Sequence, residues 1–103
     1  MRKISPLLLG VLLLVMSLNA LGITHQKQKF LVVIAQKDFQ QVEFSAVKQA
    51  LEKNGYVVIV ASNSKAEAIA MDKKTKVRPD IAIKDAKEKD YIGISIIGGN
   101  GSP

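Results

Sequence analysis

The chain has 103 residues, of which 48% are hydrophobic and 23% charged, so it holds one globular domain at most. It contains no cysteine, no tryptophan and one histidine, His25. These counts exclude a disulfide framework, a thiolate or multi-histidine metal site, and a thiol nucleophile within the chain. The formal charge is +6, but only 5% of the residues are aromatic, which leaves little material for stacking on bases. We therefore expect a solvated lysine-rich surface, with no nucleic acid partner and no metal.

The first residues have the pattern of a secretory signal peptide. Met1–Lys3 is a positive segment, Leu7–Val15 is apolar without interruption, and Asn19–Gly22 ends in small residues. We predict a signal peptide over residues 1–22, whose removal lowers the formal charge from +6 to +4. Alternatively, residues 4–23 stay uncut as a membrane anchor, since they are about long enough to cross a ~30 Å hydrocarbon core. Both interpretations predict export to the periplasm, the cell surface or the medium.

After a short linker over residues 23–28, the next two apolar runs predict a βαβ unit. Phe30–Ala35 is a continuous apolar run without alternation, which is typical of a strand that is covered on both faces in a parallel sheet. Tyr56–Ala61 is a second such run, and about twenty residues with helical character lie between the two. We therefore expect two parallel strands joined by a right-handed helical crossover.

The crossover helix is predicted from its caps and from its apolar stripe. Asp38 and Gln41 have the spacing of a capping box, and Asn54-Gly55 supplies a residue that accepts a left-handed conformation at the helix end. Apolar residues at helical spacing predict the buried face, and they are Val42, Ala46, Val47, Ala50 and Leu51. Lys48, Glu52 and Lys53 are expected on the solvent side.

The remaining sequence predicts shorter elements and a final strand. Residues 66–71 and 75–77 are candidate strands of a hairpin, although the alanine-rich sequence also permits a helical turn. The basic run Lys73–Arg78 is expected to be a solvated hairpin tip rather than an anion site. Residues 81–83 are a short extended candidate, and Tyr91–Ile97 is the last strand before a glycine-rich exit. Because three long strands and one helix cannot cover both faces of a sheet, residues 29–103 are interpreted as the N-terminal half of a domain.

Five segments, in this order and spacing, resemble one known superfamily. It contains the PfpI-like intracellular proteases and the parkinsonism-associated deglycase, and is related to class I glutamine amidotransferases. The segments are Lys29–Ala35, Asp38–Glu43, Leu51–Ser62, Val77–Asp80, and Asp90–Tyr91 with Ile97–Gly101. The resemblance covers essentially everything after Gln28, and it implies an α/β fold with a flavodoxin-like parallel sheet that is truncated after the strand preceding the nucleophile elbow.

The resemblance implies cysteine-dependent hydrolysis of peptides, or deglycation and glyoxal hydration, without a metal or organic cofactor. Two positions depart from the pattern, because Ile97 stands where the family usually has a proline, and Ile92 where it has a second acidic residue. The family's cysteine nucleophile lies beyond the last residue of this chain. We therefore expect the chain to be inactive alone, although a completed domain would act on a small carbonyl or peptide substrate.

Glu43 is the candidate catalytic acid. It falls in the first turn of the predicted helix, just past the carboxyl end of the first strand, and it leans toward Val47 and Ala50 on the buried side. From the sequence pattern alone, a carboxylate at this position is explained by the helix dipole. The resemblance implies another role, because the family's matching glutamate hydrogen-bonds the cysteine thiol.

Gly98, Gly99 and Asn100 are candidate substrate-binding residues. Glycines after a strand let the backbone come close to a substrate and point N–H groups into a cleft, although an ordinary turn has the same sequence. The resemblance implies that the Gly99 N–H forms part of an oxyanion hole, to which the Asn100 side chain would add a donor. The spacing does not match a nucleotide-phosphate loop.

The leading hypothesis is therefore an exported PfpI-like domain fragment that lacks its nucleophile. The alternative is a non-catalytic exported module that binds a partner, or a second copy of itself, through its open sheet. Under the first hypothesis the partner is the missing C-terminal half. Under the second it is another protein or a homo-oligomer.

Overall fold

The computed structural model describes residues 26–100, and the predicted signal peptide and residues 23–25 of the predicted linker lie outside this range. The described chain forms seven strands and one α-helix: β1 (Lys29–Val33), β2 (Lys37–Phe39), α1 (Gln41–Lys53), β3 (Val57–Ser62), β4 (Ala68–Ala70), β5 (Lys76–Val77), β6 (Ile81–Ala82) and β7 (Gly93–Ile96). Two 3₁₀ turns, Ile83–Asp85 and Glu88–Asp90, precede β7. Among these residues no helix has the length and apolarity to cross a membrane.

The main sheet is parallel and has the strand order β6-β3-β1-β7. Leu31 in β1 pairs with Ile59 in β3 on one side and with Ile94 in β7 on the other. The apolar runs place β1 and β3 side by side, with α1 as the crossover between them, as the βαβ pattern requires. The predicted α/β class with a parallel sheet is confirmed.

The core lies between one face of this sheet, α1 and a second, smaller sheet. The small sheet has the order β2-β4-β5, with β2 parallel and β5 antiparallel to β4. Phe39 and Phe44 meet edge to face with ring centroids 5.7 Å apart. The fully or nearly buried members of the cluster are Val32, Ile34, Phe39, Phe44, Val60, Ala68, Ala70 and Ile97.

Within the described residues the opposite face of the sheet is open at its β7 edge, although Leu31 and Ala61 on the same face are buried. Ile94 and Ile96 on β7 are 52% and 65% exposed, and β7 is also an edge strand. The expectation that a single helix cannot shield both faces is confirmed. No described element packs on the side of β7 that carries Ile94 and Ile96.

The helix differs from its predicted cap. Gln40, not Asp38, is the N-cap, and its side-chain oxygen accepts a hydrogen bond from the Val42 N–H at 2.7 Å. Asp38 adopts a left-handed φ of 62° and pairs with Lys73 instead, which takes its carboxylate away from the helix start.

The buried stripe of α1 is also rotated from the predicted one. Phe44 is buried, with Val47 and Leu51 packed beside it, whereas Val42 is 68% exposed and Ala46 and Ala50 face solvent. Burial of a phenylalanine ring gains more free energy than burial of valine or alanine, so the aromatic contact sets the rotation of the helix.

The predictions for the more polar segments are confirmed in part. The predicted hairpin is confirmed as β4 and β5, and its four basic residues are exposed, as expected of a solvated tip: Lys73, Lys74, Lys76 and Arg78. The polar residues that follow β1, where the sequence predicts no strand, contain β2, whose backbone pairs with β4.

Candidate active site

The candidate site lies where the connections of the main sheet diverge. From the carboxyl end of β1 the chain crosses through α1 to β3, while β7 flanks β1 on its other side. In open α/β sheets, ligands bind in the crevice outside the carboxyl ends of strands at such a point. The first turn of α1 carries Glu43 to this crevice, and Gly98 and Gly99 follow β7 into it.

Glu43 and Gly98 are in direct contact there. The Gly98 N–H donates a hydrogen bond to Glu43 Oε1 at 2.9 Å, although the two residues are 55 positions apart in the chain. The prediction that Glu43 leans into the buried side of the helix is wrong, since the residue is exposed. The Glu43 carboxylate points toward the turn formed by Gly98 and Gly99, the glycine turn, because the Gly98 N–H supplies a donor. No described element covers the crevice.

The turn after β7 is held by the segment that precedes α1. The Gln40 N–H donates to the Gly98 carbonyl oxygen at 2.9 Å, and Phe39 and Gly99 form an antiparallel bridge. Gly99 has a φ of 136°, and a Cβ atom there would lie 2.9 Å from the Gln40 nitrogen. Only glycine fits this conformation and this close approach without displacing the backbone.

The N–H groups of Gly98 and Gly99 differ in their hydrogen bonding. The Gly98 N–H is used by Glu43, whereas the Gly99 N–H makes no hydrogen bond within residues 26–100. Asn100 is exposed, and its side chain makes no hydrogen bond in the same range. The Gly99 N–H and the Asn100 side-chain amide are therefore not engaged by other described residues.

The described residues contain neither a metal site nor an activated nucleophile. No group of three or more candidate metal ligands occurs among them. The buried Ser62 hydroxyl donates to the Ile34 carbonyl oxygen at 2.6 Å, which makes it a structural residue. The sequence has no cysteine, so the groups gathered at this edge are the Glu43 carboxylate and backbone N–H groups.

Sequence reasoning predicted the β4–β5 turn but missed its contact with the segment that borders the site. Lys73 at the tip of the β4–β5 hairpin forms an ion pair with Asp38, whose chain neighbours contact Gly98 and Gly99. In the same turn, hydrogen bonds from the Thr75 hydroxyl and then from the Thr75 and Lys74 amides lower the pKa of Asp72. An Asp before Lys-Lys-Thr was a signal for this turn, but no local pattern marks the pairing with Asp38.

Comparison with known proteins agrees with this geometry. The family model described as the DJ-1/PfpI family matches residues 28–103. An uncharacterized protein of Methanocaldococcus jannaschii is 34% identical over 103 aligned residues, which cover 91% of this chain and 50% of that protein. An uncharacterized protein of Staphylococcus aureus is 31% identical over 71 residues, which cover 69% of this chain and 42% of that one. The chain thus spans about half the length of the curated relatives it matches.

Solved structures show the same fold. A ThiJ/PfpI domain protein from Brachyspira murdochii superposes with a TM-score of 0.67 at 22% identity, covering 74% of this chain and 44% of that one. The oxidized DJ-1 of Toxoplasma gondii gives a TM-score of 0.63 at 26% identity, with 73% and 40% covered. Because the family model covers well over half of the sequence, the chain belongs to the DJ-1/PfpI family.

Proposed function

We propose that this chain supplies the acid and the oxyanion donor of an exported cysteine-dependent hydrolase, whose nucleophile comes from a segment outside the present sequence. The observation that carries the proposal is the 2.9 Å hydrogen bond between the Gly98 N–H and Glu43 Oε1. It joins Glu43, which the resemblance singles out, to the glycine pair that follows β7, and it lies at the edge of the sheet where this fold class binds ligands.

The geometry is compatible with different roles for the two carboxylate oxygens of Glu43. Gly98 holds Oε1 and thereby orients the side chain, which leaves Oε2 free to accept a hydrogen bond from a thiol. A cysteine placed against Oε2 would transfer its proton there or share it, so that Glu43 controls how readily the thiolate forms. Glu43 is thus proposed as a proton acceptor, and Gly98 as the residue that positions it.

The glycine turn could stabilise the negative charge that develops on a substrate carbonyl oxygen during nucleophilic attack. When a thiolate adds to a carbonyl carbon, the carbonyl oxygen becomes negative and needs preorganised donors. Within residues 26–100 the Gly99 N–H has no hydrogen-bond partner, and the Gly99 backbone is held by the bridge to Phe39. We assign this N–H as the oxyanion donor and the Asn100 amide as a second one, acting on a small carbonyl or peptide substrate.

Export is the remaining part of the proposal. It rests on the order of the positive, apolar and small-residue segments in residues 1–22. With these residues removed or held in a membrane, the domain that begins near Lys29 would work outside the cytoplasm.

The test uses a completed domain, in which a C-terminal half with the family's cysteine is fused to this chain. Turnover is measured with methylglyoxal and with a reporter peptide. Glu43→Gln and Glu43→Ala should each lower turnover by ~10²-fold or more, the scale of a positioned acid–base group.

Glu52→Gln is the matched control. Glu52 lies on the solvent side of the same helix and pairs only with Lys48 at 2.9 Å, so its loss should leave turnover unchanged. Equal, near-wild-type turnover of the Glu43 and Glu52 variants would reduce Glu43 to a helix-start carboxylate and end the proposal.

A non-catalytic binding module is the second candidate, supported by the exposed Ile94 and Ile96 on the open sheet face. Reading the gene past the Pro103 codon separates the two. A cysteine codon within one further helix and elbow supports the hydrolase. A stop codon at that position supports the module.

A further inference from the structure

Two residues with left-handed backbones face each other beside the candidate site. Within residues 26–100, Asp38 (φ 62°) and Lys73 (φ 63°) are the non-glycine residues with positive φ. This region disfavours residues with a Cβ atom, and lysine has no local hydrogen bond that would compensate as aspartate does. The two side chains form an ion pair between Lys73 Nζ and Asp38 Oδ1.

The hairpin that carries Lys73 is internally ordered. Ala70 and Thr75 close it, with the Ala70 N–H donating to the Thr75 carbonyl oxygen at 2.9 Å, and the Asp72 carboxylate accepts from the Thr75 N–H at 2.8 Å. The hairpin is also fastened to the segment before α1, since the Met71 N–H donates to the Phe39 carbonyl oxygen at 2.9 Å. Lys73 therefore acts from a turn whose position is already defined.

Lys73 pairs with residue 38 of the segment 38–40, and this same segment contacts the glycine turn. Immediately after Asp38, Phe39 bridges to Gly99, and the Gln40 N–H binds the Gly98 carbonyl oxygen at 2.9 Å. The Gly98 N–H in turn reaches Glu43. A continuous series of contacts thus runs from the hairpin tip to the carboxylate.

We infer that Lys73 is a positioning residue for the candidate site: its pair with Asp38 holds residues 38–40 in the backbone conformation that seats the Gly98 N–H on Glu43. The ion pair compensates the unfavourable φ at both of its ends and so keeps the segment from relaxing away from the glycine turn. The catalytic consequence rests on the proposed function, but the structural claim does not need a cysteine.

The test is residue-resolved hydrogen–deuterium exchange on the 103-residue chain, read by mass spectrometry with fragmentation so that self-association does not interfere. In Lys73→Met the Gly98 N–H should exchange about two- to fivefold faster, the range set by one partly exposed ion pair. The Val32 N–H, in the middle of the main sheet, should keep its rate. Lys73→Arg preserves charge and reach and should restore the Gly98 rate.

Two further variants separate the ion pair from other effects of the turn. Lys74→Met removes the neighbouring charge, whose side chain makes no ion pair within the described residues, and it should leave Gly98 unchanged. Asp38→Gly relieves the positive φ but deletes the carboxylate, and it should accelerate Gly98 as Lys73→Met does.

The inference is overturned if Lys73→Met leaves Gly98 at the wild-type rate, if Gly98 and Val32 accelerate together, or if Lys73→Arg fails to restore protection. It is equally overturned if Asp38→Gly leaves Gly98 protected. An inert Glu43→Gln in the completed domain would refute the proposed function and leave these exchange results standing, so the two failures are distinguishable.

Discussion

Alanine at Gly99 should disrupt the fold around the site far more than alanine at Gly98. At Gly99 the new Cβ atom would lie 2.9 Å from the Gln40 nitrogen and 3.0 Å from Phe39 Cα, and the φ of 136° would be strained for any L residue. At Gly98 the nearest atom is Glu43 Oε2 at 3.4 Å, the end of a side chain that can rotate.

The magnitudes follow from these contacts. A non-glycine residue in so sparsely populated a region costs about 1–3 kcal/mol, and displacing packed neighbours adds about 1–3 kcal/mol, so Gly99→Ala should lower the free energy of unfolding by about 2–5 kcal/mol. Gly98→Ala should cost less than about 1 kcal/mol.

In the completed domain, urea unfolding followed by circular dichroism measures both variants on the same scale. We expect a much lower midpoint for Gly99→Ala and a midpoint near that of the wild type for Gly98→Ala. Equal midpoints would show that the Gly99 conformation is not required and would refute the close-approach argument.

Three further predictions concern the open sheet face, the hairpin and the N-terminus. The chain by itself should self-associate or bind a hydrophobic dye, and Ile96→Lys should reduce both; a clean monomer that binds no dye would contradict the open face. Because the pKa of Asp72 is lowered, the stability it contributes is present above its ordinary value of 3.8 and is lost as the pH falls through the lowered folded-state value. Exchange in the hairpin should therefore lose protection in acid in the wild type, and Asp72→Asn should lack this dependence; identical acid profiles would count against the turn. N-terminal sequencing of exported protein should begin near Leu21 or Ile23, whereas a start at Met1 would favour an anchor.

The main sheet was predictable because its information is local. Phe30–Ala35 and Tyr56–Ala61 are apolar runs that need cover, and Asn54-Gly55 marks the helix end between them. The helix does end at Lys53, with Asn54 as its C-cap. Such signals depend on near neighbours in sequence, so they survive without knowledge of the tertiary contacts.

The errors arose where a distant contact decided the local structure. Phe44 turned the helix because it meets Phe39, which a count of apolar spacings does not weigh. Asp38 left the capping position because it pairs with Lys73, 35 residues later. The short strand that contains Asp38 is polar, so its pairing with β4 leaves no alternation to detect.

The candidate site was predictable in part, since some of its features have local sequence signals and others depend on distant contacts. Helix position placed Glu43 at the correct edge of the sheet, and the glycine pair after the last strand suggested close backbone approach. Only the resemblance connected the two, since a contact across 55 residues has no local signature. The sequence pattern also overestimated burial, because the elements that would close the crevice are not among the described residues.

The central claim is that the Glu43 carboxylate governs a thiol supplied by the rest of the domain. The most direct measurement is the rate at which iodoacetamide alkylates that cysteine as a function of pH, in the completed domain and in its Glu43→Gln and Glu52→Gln variants. We expect the pH profile of alkylation in Glu43→Gln to be displaced from that of the parent domain. The profile of Glu52→Gln should superpose on that of the parent. Superposition of all three profiles would contradict it.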